Sequence, residues 1–270
     1  MKKLIILVLL IGGGYVGYLN WNEDILADYS LQALAVENNV TNGELVLVNR
    51  EYAFNMDPDN LMQVEQGSSN SIRIMGHMQM QPVVYEQLME MADAAVADGI
   101  TNLQLNSAYR SAIEQAKLFA EYGASYALPA GHSEHQTGLA VDISVTSGKI
   151  EGTEAAKWLE KNAAKFGFVL RYPANKVHVT DIEFEPWHFR YVGLPHSLIM
   201  EKENLVLEEY LEYLRNKEAY KATFGEIDYI IQYVQVDESA PHIDVPKSDY
   251  YMTSSDNIGG VIVTTKILKE

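Results

Sequence analysis

The chain has 270 residues, of which 47% are hydrophobic and 21% charged, and these values are typical of a folded protein with one large domain or two small ones. Asp and Glu outnumber Lys and Arg by 37 to 20, so the net charge of −17 disfavours binding to the phosphate backbone of nucleic acids. The absence of cysteine excludes disulfides, cysteine nucleophiles and thiolate metal sites, so any metal ligand must be a His, Asp or Glu side chain.

Residues 1–21 have the pattern of a membrane-targeting segment. Lys2 and Lys3 precede an apolar run from Leu4 to Leu19, and acidic residues follow it. This run is longer than the h-region of a signal peptide, about 7 to 15 residues, and shorter than a spanning helix of about 20. We predict an uncleaved N-terminal anchor, because no small-x-small cleavage site ends the run; a cleaved signal or a buried helix is the alternative. The lysines predict a cytoplasmic N-terminus, with the remaining chain outside the cell membrane.

The remaining chain alternates strand and helix patterns. Residues 22–43 are polar and acidic and indicate a spacer, and the β-branched run 44–49 predicts a first strand. Turn-forming residues over 53–80 indicate loops. Pro82 and Thr153 suit the starts of helices, and Gly99 and Gly167 suit their ends. The predicted helices cover residues 82–98, 111–122, 153–167 and 195–215, and the predicted strands cover 102–106, 168–172, 187–192 and, in a small C-terminal β appendage, 229–236 and 260–265.

The first segment that suggests chemistry runs from Ser133 to Asp142. It contains His135 and ends in a strand pattern whose apolar residues alternate with Ala140 and Asp142. Because strand side chains point alternately to the two faces, Asp142 is predicted to face away from the core. The small Ala140 leaves space beside it for a ligand or for a neighbouring side chain.

The second segment is Glu185-Pro-Trp-His188, at the head of the strand 187–192. Two neutral imidazoles and one carboxylate, here His135, His188 and Asp142, satisfy Zn²⁺ and leave a fourth position open for water, as in catalytic zinc sites. Glu185 is then a candidate general base. Strict alternation places it on the face opposite His188, so this role requires Pro186 to break the strand.

Each of these residues also has a purely structural interpretation. A His beside Gln and Thr is more often hydrogen-bonded than metal-bound, and Trp187 with its aromatic neighbours is typical of a core strand. The same ligand set also suits divalent metals other than zinc. The residues alone therefore leave both interpretations open and do not identify a substrate. The remaining histidines have no comparable setting and are interpreted as structural: His77, His132, His178, His196 and His242.

The combination of the two segments resembles a known family signature. Ser133-x-His135-x-x-Gly138-x-Ala140-x-Asp142, followed by Glu185-x-Trp187-His188, is similar to the double motif of the D-alanyl-D-alanine dipeptidase and carboxypeptidase family, which shares its metal core with the hedgehog signalling domain. The resemblance is strongest to the VanY-type D,D-carboxypeptidases of glycopeptide resistance, and it extends from about residue 44 to the last strand. Two departures are Ala108, where glycine is common, and His132, where Thr or Tyr is usual. Further matching stretches are residues 107–110 with Gln115, 167–173, 185–193 and 194–197.

The resemblance implies a role for individual residues. His135, Asp142 and His188 correspond to zinc ligands, and Glu185 corresponds to the base that takes a proton from water and returns it to the leaving amine. Arg110 is similar to the family's cation at the scissile carbonyl. The terminal D-alanine of the substrate would be held by three polar residues: Tyr109, Gln115 and Ser133.

The resemblance also implies a fold and an activity. The fold is α+β, a central antiparallel sheet with flanking helices, and the predicted ranges are anchor 1–21, spacer 22–43, catalytic domain 44–217 and β appendage 218–270. The implied activity is zinc-dependent removal of the terminal D-Ala from peptidoglycan stem peptides that end in D-Ala-D-Ala. The alternatives are an L,D-carboxypeptidase acting on tetrapeptide stems, a D-Ala-D-Ala dipeptidase, and a non-catalytic wall-binding module that keeps zinc for structure.

Overall fold

The computed structural model describes residues 6–8, 17–20, 25–36, 43–58, 60–124, 127–217, 219–235 and 242–269. The chain divides into two compact units. The central unit is the continuous stretch 48–206, and the terminal unit combines residues 1–47 with 207–270. The predicted catalytic range 44–217 contains the whole central unit, but its residues 44–47 and 207–217 fall in the terminal unit.

The described residues form fifteen strands and six α-helices. In the first half of the chain these are β1 Ile6–Val8, β2 Gly17–Asn20, β3 Leu31–Ala35, β4 Met62–Val64, β5 Arg73–Ile74, β6 Met78–Met80, α1 Pro82–Ala97, β7 Leu103–Ser107 and α2 Ala112–Tyr122. In the second half they are β8 Ala140–Val145, α3 Glu154–Asn162, β9 Phe168–Leu170, α4 Val177–Thr180, β10 His188–Tyr191, α5 His196–Glu203, α6 Leu207–Arg215, β11 Tyr220–Phe224, β12 Ile227–Gln235, β13 His242–Pro246, β14 Tyr251–Ser255 and β15 Gly260–Leu268.

A five-stranded sheet in the order β5-β7-β8-β10-β9 forms the centre of the central unit. All of its pairs are antiparallel except β5 with β7. The register of β8 and β10 places His188 directly opposite Asp142 and Arg190 opposite Ala140. Because side chains at i and i+2 of a strand share a face, His188 and Arg190 lie on the same side of this sheet.

Local signals explain the helices of the central unit. Pro82 occupies the first turn of α1, where its missing N–H requires no partner. Ser111 and Glu114 form a capping box at the start of α2, and Thr153 caps α3 through the backbone N–H of Ala156. The buried face of α1 repeats at helical spacing: Val84, Leu88, Met91, Ala92 and Ala95.

The described residues of the terminal unit form mainly β structure, together with the helix α6 and a short 3-10 helix, Ile25–Asp28. Its main sheet has six strands in the order β1-β2-β11-β12-β15-β14, and β3 pairs separately with β13. Four valines from three stretches of the chain form a small core here: Val36, Val245, Val261 and Val263. The predicted spacer 22–43 therefore contains a paired strand, and the predicted appendage is part of a larger sheet.

Two element predictions were wrong. The apolar residues of 44–49 form no strand, although Leu45, Val46, Leu47 and Val48 are all buried. The predicted helix 195–215 is two helices, because Asn204 adopts the left-handed conformation with φ of 52° and ends α5. The other predicted helices and strands lie within a few residues of observed elements, and the mixed α+β class is confirmed. Several short elements were not predicted, among them β4, β5 and β6, which lie in the region 53–80 that was predicted to be loop.

The predicted anchor 1–21 lies largely outside the described residues. The exceptions are β1 and β2, whose backbones pair with each other antiparallel. Within the residues that the structure describes, no helix is both long and apolar enough to cross a membrane.

Candidate active site

His135 sits on a 3-10 turn, Glu134–Thr137, that is entirely buried. Gly138 ends this turn in the left-handed conformation, with φ of 69°, and the chain then enters β8. The ring nitrogen Nδ1 of His135 lies 2.6 Å from the carbonyl oxygen of Ala108, which can only accept a hydrogen bond. Nδ1 is therefore the protonated nitrogen, and Nε2 is left with a free lone pair.

Asp142 and His188 face each other across neighbouring strands. Asp142 Oδ2 lies 3.4 Å from His135 Nε2, and Asp142 Oδ1 lies 3.2 Å from His188 Nδ1. One atom from each of the three side chains lies within 4.8 Å of the others, and this is the one such group of three or more ligating residues in the described part of the chain. The structure thus brings together the three predicted ligands.

These three residues fit a bound metal ion. Asp142 Oδ1 is buried and accepts no hydrogen bond from the described residues, which is costly for a carboxylate oxygen unless a cation approaches it. Burial alone would raise the pKa of Asp142, but His135 and His188 hold that pKa well below its usual range, so the carboxylate is charged. Two imidazoles and one carboxylate form the donor set of a catalytic zinc site.

Glu185 reaches the same side as His188 because the chain turns before β10. The backbone N–H of His188 donates to the carbonyl of Glu185 at 3.2 Å, which closes a tight turn through Pro186 and Trp187. Glu185 Oε2 then lies 3.8 Å from His188 Nδ1. Burial raises the pKa of Glu185. The carboxylate is thus placed beside the ligand group and is more basic than an exposed glutamate, as a general base requires.

Arg110 follows β7 and is fixed by two side chains. Its guanidinium donates to Gln115 Oε1 at 2.9 Å and to Ser107 Oγ at 3.3 Å. Its backbone N–H also donates to the carbonyl of His135 at 3.1 Å, so the segment carrying Arg110 is tied directly to the turn carrying the first predicted ligand. Gln115 is buried and holds the guanidinium, so the structure shows it as a partner of Arg110.

The other two predicted substrate-binding residues lie on either side of this segment. The hydroxyl of Tyr109 donates to Asp57 Oδ1 at 3.3 Å, and burial followed by the charge of Asp57 raises the pKa of Tyr109. Ser133 is buried immediately before the turn that carries His135. Their roles toward a substrate stay a prediction.

Sequence reasoning missed a buried charge cluster behind His188. Glu134 Oε1 accepts hydrogen bonds from Arg171 at 2.7 Å and from Arg190 at 2.8 Å, and all three side chains are fully buried. Glu134 Oε2 lies 3.2 Å from His188 Nε2. Burial alone would raise the pKa of Glu134, but the two arginines hold that pKa well below its usual range. The sequence shows an acid beside His135 and arginines inside two strand patterns, but it does not show that these side chains meet.

Trp187 was predicted to belong to a core strand, and this was wrong. Its exposed fraction is 38%, whereas Phe189 and Tyr191 are buried as predicted. Trp187 lies in the turn before β10 and therefore does not follow the alternation of that strand.

The sequence of the site region matches a known family. The family model VanY, D-alanyl-D-alanine carboxypeptidase, matches residues 77–194. A D-alanyl-D-alanine carboxypeptidase from Enterococcus faecium is 36% identical over 98% of this chain and 96% of its own length. The chain belongs to the VanY family. All of the predicted ligands, together with Glu185 and Arg110, lie within the matched residues.

Two solved structures of similar proteins agree with membership of the VanY family. The vancomycin-resistance D,D-dipeptidase VanXYg, in complex with a D-Ala-D-Ala phosphinate analogue, has a TM-score of 0.76 and 28% identity, over 88% of this chain and 100% of its own. A variant of the D,D-pentapeptidase VanY from a VanB-type resistance cassette, in complex with Zn(II), has a TM-score of 0.51 and 32% identity, over 62% of this chain and 98% of its own.

Proposed function

We propose that this protein is a zinc-dependent D,D-carboxypeptidase that removes the terminal D-Ala from peptidoglycan stem peptides ending in D-Ala-D-Ala. The observation that carries this proposal is the convergence of His135, Asp142 and His188, with Glu185 at 3.8 Å from His188. A purely structural metal site has no need for such a base. The relatives described above, one of them solved with Zn(II), support the same activity.

Glu185 moves the proton in this reaction. Zinc held by His135, Asp142 and His188 would lower the pKa of water toward about 7 and polarise the scissile carbonyl. Glu185 accepts a proton from the attacking water and returns it to the nitrogen of the leaving D-alanine. The burial that raises its pKa suits both steps, because a base with a higher pKa takes the proton more readily and can still release it to an amine.

Arg110 supplies positive charge where negative charge develops on the carbonyl oxygen. Gln115 and Ser107 hold the guanidinium in one orientation before substrate binds, so no rotamer freedom is lost in the transition state. A local cation also matters because the net charge of −17 would otherwise repel an anionic stem peptide. Tyr109 adjoins Arg110 in sequence, and Ser133 lies two residues before His135; we assign both to the substrate terminus.

Removal of the terminal D-Ala would destroy the dipeptide that vancomycin-type antibiotics bind. The proposed activity therefore contributes to glycopeptide resistance. One of the similar structures is itself a vancomycin-resistance D,D-dipeptidase, which supports this interpretation.

Mass spectrometry of stem peptides tests the reaction. The full chain is incubated with zinc and with pentapeptide, tetrapeptide or free D-Ala-D-Ala. We expect the loss of one alanine from the pentapeptide only. Cleavage of the tetrapeptide alone would instead show an L,D-carboxypeptidase, cleavage of the free dipeptide a dipeptidase, and no cleavage a binding module. Glu185→Gln serves as the inactive variant, and Glu154→Gln, an exposed carboxylate on α3, serves as the matched control.

Amidation of the substrate tests recognition of the terminus. A charge-assisted hydrogen bond contributes about 1.5 to 3 kcal/mol, so kcat/KM for a pentapeptide with an amidated terminal D-Ala should fall by roughly one to two orders of magnitude. Equal values for the free acid and the amide would mean that the enzyme does not bind the carboxylate, and an endopeptidase activity would then be the better description.

We also propose that residues 1–21 anchor the protein, with the catalytic residues outside the cytoplasmic membrane. Two lysines before an apolar run support this orientation, and lipid-linked stem peptides are displayed on that side. Alkaline extraction of membranes and protease treatment of intact cells test the proposal. A chain that stays in the membrane pellet and is digested from outside supports it, whereas release of an intact, unprocessed chain by alkali would contradict it and favour the pairing of β1 with β2 as the state of this segment.

A further inference from the structure

Glu134 joins the candidate metal ligand His188 to two arginines. Its carboxylate has no solvent exposure, and neither have the side chains of Arg171 and Arg190. Oxygen Oε1 accepts from both arginines, and the other oxygen, Oε2, lies 3.2 Å from His188 Nε2. Oε1 of Glu134 therefore binds the two arginines, and Oε2 faces His188.

The sheet positions these groups with little freedom. His188 and Arg190 share a face of β10, and both reach Glu134, which sits at the start of the turn that carries His135. The backbone N–H of Arg171 donates to the carbonyl of His188 at 3.1 Å, so Arg171 is also tied to the ligand strand. Three segments of the chain are thus held together around one carboxylate.

The hydrogen bonds determine which nitrogen of His188 carries the proton. A charged carboxylate can only accept, so the nitrogen facing Glu134, Nε2, is the protonated one. The opposite nitrogen, Nδ1, faces Asp142 Oδ1 at 3.2 Å and is left to ligate. His135 has the reverse arrangement, because its Nδ1 donates to Ala108 and its Nε2 faces Asp142.

We propose that Glu134, held by Arg171 and Arg190, is a positioning residue that fixes the orientation and tautomer of His188, so that His188 binds the metal through Nδ1 and His135 binds it through Nε2. This inference rests on the proposed function, since it concerns how the zinc site is built. Outer-shell carboxylates that accept from a ligating imidazole set the tautomer and raise the basicity of the ligand.

Both arginines are needed for this task. Because they occupy Oε1, the carboxylate cannot rotate to give its second oxygen to another donor, and Oε2 stays directed at His188. Glu134→Gln changes this division. The amide oxygen would remain with the arginines, and the amide –NH₂ would face His188 Nε2. Two donors cannot share a hydrogen bond, so His188 would have to move its proton to Nδ1, the atom that should bind the metal.

The first experiment compares zinc affinity by competition with a chromophoric chelator. Glu134→Gln should weaken zinc binding by roughly 10- to 100-fold, the range seen when outer-shell partners of a metal site are removed. Asp228→Asn in the terminal unit is the matched control, because Asp228 is also a buried carboxylate, with Lys221 and Lys269 as partners. The control should keep the wild-type affinity. Equal affinities for wild type and Glu134→Gln, or equal losses in both variants, would overturn the inference.

The second experiment needs no variant that might misfold. Long-range ¹H–¹⁵N spectra of the wild-type chain with labelled histidine, loaded with zinc, report the tautomer of each ring among seven histidines. We expect two metal-bound rings of opposite type, His188 with a protonated Nε2 and His135 with a protonated Nδ1. Metal on Nε2 of His188 would overturn the inference but leave the proposed function intact. Failure of the wild-type chain to bind zinc at all would instead refute the proposed function.

Discussion

Gly138 joins the turn that carries His135 to the strand that carries Asp142, and Gly138→Ala tests how much that junction depends on glycine. Its φ of 69° lies in the left-handed region, which costs an L-residue about 1 to 2 kcal/mol. A Cβ at this position would also lie 2.7 Å from Leu61 Cδ2 and 3.3 Å from Gln81 Cγ. Gly138→Ala therefore meets two separate penalties, one from the backbone and one from packing.

Gly76 allows the two penalties to be separated. It has nearly the same φ, 73°, but a Cβ there would meet no atom within 4 Å. Gly76→Ala should therefore lower the free energy of unfolding by the backbone penalty alone, about 1 to 2 kcal/mol. Gly138→Ala should lower it by about 1 kcal/mol more, because overpacking forces the end of Leu61 and its neighbours to move. The smaller entropy of the unfolded chain with Ala affects both variants alike and cancels in the comparison.

Urea unfolding measures the free energy of unfolding of both variants, and hydrogen exchange at the amides of β8 measures the local stability of that strand. Zinc affinity provides a functional readout, because movement at residue 138 displaces His135 relative to Asp142. We expect weaker zinc binding for Gly138→Ala and unchanged binding for Gly76→Ala. Equal losses of stability in the two variants would show that the contact with Leu61 carries no cost. No loss in either variant would refute the argument from backbone conformation.

Three further outcomes are expected. Glu185→Gln should lower kcat by about 10²- to 10⁴-fold, the usual contribution of a general base. Its zinc content, measured by atomic emission, should stay near that of the wild type. A zinc-free variant would instead show that Glu185 is a metal ligand. Arg110→Lys should restore only part of the kcat/KM that Arg110→Ala loses, because an ammonium cannot replace the planar guanidinium that binds Gln115 and Ser107, and full restoration would contradict this role. Burial lowers the pKa of His196 from 6.5 to about 3, so the free energy of unfolding should fall as pH drops below 6.5, by about 2 kcal/mol between pH 7 and pH 5. In urea unfolding, His196→Asn should not show this pH dependence. Parallel pH curves for the wild type and the variant would refute the assignment.

Signals that act over a few residues made the helices of the central unit predictable. The capping box at Ser111 and the first-turn Pro82 involve only neighbouring residues, and both work as the sequence indicates. The strand prediction for residues 44–49 was wrong, because a short apolar segment has the same sequence pattern whether it pairs as a strand or is buried as an irregular loop. The end of α5 at Asn204 was not predicted, because Asn can adopt the left-handed conformation but is a weaker signal of a helix end than Gly or Pro.

The candidate ligands were predictable because their spacing matches a family pattern. Glu134 was not, although it adjoins His135 in sequence. Its partners Arg171, His188 and Arg190 are 37, 54 and 56 positions away, and only the pairing of β9, β10 and β8 brings them to it. A glutamate next to a ligand is ordinarily read as solvent-exposed, so a fully buried ion cluster can be recognised only once the sheet is known.

The division of the chain into two units has a consequence for the order in which they are completed on the ribosome. The central unit is one uninterrupted stretch that ends at Val206, whereas in the terminal unit β3 must wait for β13, which pairs Leu31 with Pro246. The last strand, β15, ends at Leu268, about 60 residues after the central unit, which corresponds to roughly 3 to 12 s of synthesis at about 5 to 20 residues per second. Until β13 has been made, about 40 residues after the central unit, β3 lacks its partner strand and has an unpaired edge that other chains could join. The central unit, which contains His135, Asp142 and His188, is thus synthesised in full first, and the terminal unit can complete its sheets only afterwards.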